Sequence, residues 1–205
     1  SVPIATNDNP VRIGSQIDIY NPIRAFHGNI DEVRFWNVAR TTTQINNSKN
    51  CELNGNETGL VAYYQFNQGN SGASNATIIS LSDATFNGNN GTLTNFALTD
   101  ATSNWLAGSV VTTGISVPAA PTAEAQNFTT VASVDDLQPL DVGIKWYASS
   151  DAIEAFSSAA ALSSGTYYVS QTNENGCESE RTEVAITINI ATASPTALSL
   201  QIYAG

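Results

Sequence analysis

Apolar and polar positions alternate along much of this chain. In Phe26 to Ile45, FHGNIDEVRFWNVARTTTQI, Val33 and Phe35 fall on one face of an extended segment while Glu32, Arg34 and Trp36 fall on the other. A strand ending at Asn37 is predicted. Thr41 followed three residues later by Gln44 has capping-box spacing, which predicts a short helix directly after it. In LVAYYQF, Leu60, Ala62, Tyr64 and Phe66 share one face, the pattern of a half-buried strand. The Asn-Gly-rich run from Asp83 to Thr92 predicts a tight loop between strands. Further on, Ile144–Ala148, Gly165–Gln171 and Val184–Ile188 are short strands separated by turn signals, the grammar of a β-sandwich with Trp146 on a central strand. The chain is predicted to be all-β.

The length of 205 residues accommodates two domains of about 100 residues. The stretch 109–120 lies within SVVTTGISVPAAPT, which has prolines, small residues and no charge, and is expected to be an extended linker. The expected organisation is a first domain at 1–108, that linker, a second domain at 121–190, and a linker or the start of another repeat at 191–205. Eighteen acidic residues against seven basic ones repel nucleic acid and anionic membrane surfaces. No apolar run approaches the roughly 20 residues of a membrane span, and with no Met and an opening that reads as mid-domain, the chain is expected to be a piece of a longer exported protein.

The order Gly28, Ile30-Asp31-Glu32-Val33-Arg34, Phe35-Trp36, Asn37, Ala39-Arg40 and short helix resembles the closing motif of laminin-G-like, concanavalin A-like jelly rolls. Val11–Gly14 resembles the strand before that motif, and GLVAYYQF the first strand of the same family, although here it follows the motif. The resemblance implies a partial or permuted jelly roll whose earlier strands lie before Ser1. Residues 121–188, with WYAS, LSSGTYYVSQTNENGCES and RTEV, resemble the repeated immunoglobulin-like domains of large surface proteins of gliding bacteria. Tyr167, two residues before Val169, stands where such a domain carries its tyrosine corner, and Glu174-Asn175-Gly176 supplies a hairpin turn. That family usually has a cysteine just after the aromatic at position 128, paired with the one in the Asn-Gly-Cys turn. Here Thr129 follows Phe128, so Cys177 has only Cys51 as a potential partner in the chain. A Cys51–Cys177 bridge has to span domains; two free or externally paired cysteines are the expectation.

Candidate chemistry is sparse. His27 is the only histidine, is expected on a loop, and has no second His or Cys-x-x-Cys to build a zinc site or a catalytic triad with. Asp31 and Glu32 are neighbours on opposite faces of a strand, unlike the paired carboxylates of a glycosidase. Glu32 and Arg34 are expected to form a surface ion pair worth under about 1 kcal/mol. Laminin-G-like domains often hold calcium at a loop edge, and Asp83, Asn87 and Asn89 offer oxygens in one Gly-rich loop; an Asx-rich turn is the structural alternative. Trp36 and Trp105, with Tyr63 and Phe66, are candidates for a sugar-stacking platform, set against the alternative that they are core.

By resemblance, the expected role is a non-enzymatic segment of a large adhesin, exported by type IX secretion to the bacterial cell surface and used in gliding. Its partners are a surface glycan or protein ligand and an export or outer-membrane anchoring partner. The alternative is a carbohydrate-binding appendage of a secreted polysaccharide-degrading enzyme.

Overall fold

The computed structural model describes residues 10–18, 21–99, 103–109 and 111–191. The expectations for Val2–Asn9, for Ile19 and for 192–205 lie outside the described residues. Among the described residues the architecture is all-β, with one short α-helix and a 3-10 turn at Val134–Asp136. In the first half the strands form three two-stranded antiparallel ladders: β1 (Ser15–Asp18) with β2 (Asn21–Ala25), β3 (Val33–Trp36) with β4 (Leu60–Tyr64), and β5 (Ser80–Leu81) with β6 (Gly91–Thr92). Broad jelly-roll sheets are not formed among the described residues. The strand β1 lies just after the Val11–Gly14 segment that was expected to be extended.

Helix α1 (Thr42–Ser48) follows β3 as its capping box requires: Thr41 accepts from Gln44 N, and the Gln44 side chain accepts from Thr41 N. The β3–β4 ladder carries the first half's core, and both of its faces are packed. Val33 and Phe35 lie against Ala62, Tyr64, Leu81 and Trp105, whereas Trp36 joins Leu60 and Tyr63 in a second cluster. The register explains how Leu60 leaves the face of Ala62 and Tyr64. Phe35 pairs with Ala62 but Trp36 pairs with Leu60, so Val61 is an extra residue, a bulge that reverses the facing of what precedes it. Leu60 therefore does not share a face with Ala62 and Tyr64 as strict alternation predicts.

The second half contains a four-stranded sheet in the order β7 (Gln126–Phe128), β10 (Thr182–Ile188), β9 (Gly165–Gln171), β8 (Ile144–Tyr147). Strand β7 runs parallel to β10 and the other pairs are antiparallel. Trp146 pairs with Val169, and with Val134, Leu137, Tyr167, Val184 and Ile186 it forms the core of this lobe. Strand β8 is an edge of the described sheet, not its centre; Trp146 is buried because its face is covered. The tyrosine corner is present: the Tyr167 hydroxyl donates to Ser163 O (3.2 Å) and accepts from Ser163 N (3.1 Å).

Residues 111–117 are not a free spacer. Val111 and Val117 are buried, and Ser116 forms a parallel bridge with Glu52 through Glu52 N to Ile115 O (2.9 Å) and Val117 N to Glu52 O (3.0 Å). The segment docks onto the first half because its Val and Ile side chains have a cluster to join, which composition alone does not reveal.

Candidate functional site

The most elaborate chemistry in the molecule lies where the two lobes meet. Helix α1 and residues 51–53 face residues 115–117 and the turn between β9 and β10. In that turn Asn173 accepts from Asn175 N and Cys177 N through its side-chain oxygen, and Gly176 takes the left-handed conformation (φ 81°) that favours glycine. The Asn173 Nδ2 donates to Ser116 O (3.0 Å). The turn therefore presents Cys177 towards the first lobe, where it is bonded to Cys51 with the Cα atoms 6.0 Å apart, within the ordinary disulfide range. Both sulfurs lie in the apolar cluster of Leu53, Leu60, Tyr63 and Val117.

This corrects the expectation of two free or externally paired cysteines. Position 129, a threonine in this chain, lies away from that bond. Phe128 pairs with Ile188 at one end of β10, and Cys177 lies beyond the other end, about 20 Å away at the usual rise of a strand.

Charged groups reinforce the junction. Arg40 lies over the Trp36 ring, 4.3 Å from its centroid, and pairs with Glu180 at 2.5 Å. Thr43 Oγ1 donates to Asp151 O (3.0 Å), and Glu178 N to Asn47 O (3.4 Å). Glu178, buried, accepts from the Tyr147 hydroxyl (2.9 Å) and from Ser170 Oγ (2.8 Å). Burial first, and then the bond to Glu178 and its charge, push the Tyr147 phenol up to about 12. Arg181 stacks on Tyr147, 3.4 Å from the ring centroid, and donates to Ser149 O and Ala152 O. A recess opens between α1 and the second lobe beside this network, lined in part by Arg40, Gln44, Leu53, Val117, Glu178 and Arg181.

Glu32 and Arg34 also depart from expectation. They are 10% and 13% exposed and 2.6 Å apart, and Arg34 further donates to Ser48 O (3.0 Å) and Cys51 O (2.5 Å). The Tyr63 hydroxyl donates to Glu32 Oε2 (2.5 Å) and accepts from Leu53 N (3.1 Å). The pair is thus an internal tie between β3, β4 and the residues leading to Cys51, not a surface ornament. Burial raises the Glu32 carboxyl above its ordinary value despite the bonds from Tyr63 and Arg34. Asp31 faces Ser109 instead.

The structure gathers Asp83, Asn87 and Asn89 into one loop, where the Asp83 carboxylate and the Asn87 and Asn89 side-chain nitrogens bond to the protein. Asp83 Oδ1 accepts from Tyr63 N, Thr85 N and Thr85 Oγ1, and Oδ2 from Thr85 Oγ1 and Asn89 N, all at 2.8–3.0 Å. Burial opposes ionisation, but the N–H donors of Tyr63, Thr85 and Asn89 outweigh it and hold this carboxyl below its ordinary value. Asn87 and Asn89 both donate through Nδ2 to Val61 O (3.0 and 2.9 Å), capping the bulge in β4. With both Asp83 oxygens accepting from protein N–H and O–H groups, the loop is tied together as an Asx-rich turn. Among the described residues no three His, Cys, Asp or Glu side chains cluster as metal ligands.

The aromatic candidates separate in the same way. Trp105 is 3% exposed, packed against Phe66, Phe96 and the backbone of Gly69, where an added Cβ meets the indole at 2.2 Å. It is core, and cannot stack on a sugar. Tyr63 is fully buried, and Trp36 is half-buried with Arg40 over its ring. His27 is exposed on the loop after β2. The junction was missed in the sequence because its parts are 126 residues apart; the one signal was that Cys177 has no partner within its own lobe.

Residues 116–189 match the family model of an Ig-like domain described as CHU_C associated. The second lobe, a β-sheet domain with a tyrosine corner, is therefore similar to the CHU_C-associated Ig-like domains that this family describes. No curated protein and no solved structure matches the chain. Among the described residues no helix is long and apolar enough to cross a membrane.

Proposed function

We propose that the chain is a non-catalytic segment of a large, exported, multidomain adhesin of the bacterial cell surface, with the immunoglobulin-like lobe as a spacer held rigidly to the lobe before it. The observation that carries this reading is the family match of residues 116–189. A disulfide between lobes supports it, since such bonds persist in oxidising, extracellular surroundings. The laminin-G-like reading of 1–108 rests on the closing motif, whose strand β3 pairs with β4. Its ligand is a surface glycan or protein, engaged through parts of the adhesin other than Trp105, and an export or outer-membrane anchoring partner delivers it.

The test is to label intact cells of the source bacterium with an antibody raised against the purified chain, and to compare attachment to a surface with and without the parent gene. Labelling of intact cells together with reduced attachment in the deletion strain is expected. Labelling confined to permeabilised cells refutes surface display, and unchanged attachment refutes the adhesive role.

A further inference from the structure

The position of the Cys51–Cys177 bond in the chain has a mechanical consequence. Load applied between the two ends of the chain travels along covalent bonds by the shortest route. From the N-terminal side it passes through β1, β2, β3 and α1 to Cys51, crosses the bond, and leaves from Cys177 through β10. Residues 52–176, which hold β4 to β9, lie off that route.

We infer that the bond is a tension bypass, which lets the chain carry load while most of it is shielded from extension. The strands on the route are β1 and β2, which pair with each other, β3, which can be drawn away from β4, and β10, which can be drawn away from β7 and β9. Part of the lobe junction is spared as well: Asn173 to Ser116 and the Glu52–Ser116 bridge have both members inside the closed loop, whereas Thr43 to Asp151 and Arg40 to Glu180 involve residues on the route. Without the bond, load passes through every strand in turn, and both cores come apart. That such a load acts in the cell rests on the proposed surface role, but the load path follows from the bond alone.

Single-molecule force spectroscopy on the full chain, held by handles at its two ends, tests this. A sequence separation of 126 across the bond, at about 3.6 Å per extended residue, hides about 450 Å of contour length. The oxidised chain is expected to unfold to a length shorter by about 450 Å than the same molecule after a reductant is added. The Cys51→Ser/Cys177→Ser double variant is expected to reach the longer length without reductant; should it not fold, the reduced wild-type chain gives the same comparison. Equal lengths in oxidised and reduced chains overturn the bypass. Failure of surface display leaves the contour measurement unaffected, so the two ideas fail separately.

Discussion

Replacing Arg34 with Met isolates what the internal ion pair does. Methionine keeps most of the aliphatic stem, so packing beside Tyr63 is largely retained and the change is chiefly electrostatic. What is lost is the partner of Glu32, only 10% exposed, and the donor to Ser48 O and Cys51 O. Removing one member of a buried pair costs 3–5 kcal/mol; the slight exposure here places the expectation near the lower end, about 3 kcal/mol. For a chain of this size that lowers the melting temperature by roughly 6–12 °C.

The pH dependence supplies an independent check. Burial already raises the Glu32 carboxyl above 4.5, and without Arg34 it rises further. A raised acid is destabilising while ionised, so the deficit is full at pH 7 and shrinks as pH falls through the raised value. Calorimetry or thermal circular dichroism of wild type, Arg34→Met and Arg34→Met/Glu32→Gln between pH 4 and 8 measures all of this. The double variant is expected to be more stable than Arg34→Met at pH 7, because it no longer strands a charge. A loss below about 1 kcal/mol, or a double variant no better than the single, refutes the reasoning and returns the pair to the ordinary surface class.

Three further outcomes follow from the same structure. Cys51→Ser/Cys177→Ser is expected to lose up to about 5 kcal/mol, the chain-entropy value for a loop of this length, read as a lower denaturation midpoint than the oxidised wild type. Asp83→Asn is expected to lower the melting temperature at pH 7; because the folded Asp83 carboxyl is held below 3.8, its contribution is present above that value and is lost as pH falls through the folded one. The gap between wild type and variant should therefore close in acid, and millimolar calcium should leave both melting temperatures unchanged. Trp105→Ala is expected to cost about 3–5 kcal/mol, so any loss of glycan binding in that variant should coincide with loss of near-ultraviolet circular dichroism.

What the sequence made legible was mostly local. Thr41 and Gln44 marked the start of α1 because a capping box is a contact over three residues, and Val33 to Trp36 showed a strand by alternation. The tyrosine corner at Tyr167 was readable for the same reason, since its hydroxyl reaches back only to Ser163. The failures were tertiary. Period-two reasoning gave β4 one buried face, yet Tyr63 is fully buried on the other and the Val61 bulge moves Leu60. Trp105 looked the same in sequence whether it faced a sugar or Gly69. The bond between Cys51 and Cys177 depends on how two lobes dock, which neither cysteine's neighbours encode.

The most direct test of the account is peptide mapping by mass spectrometry of the oxidised protein, digested without reductant after free thiols are blocked. A single cross-linked species joining the peptide of Cys51 to that of Cys177, with neither thiol alkylated, is the expected result. Alkylated Cys51 and Cys177, or either cysteine joined to another chain, contradicts the covalent junction and with it the load path proposed above.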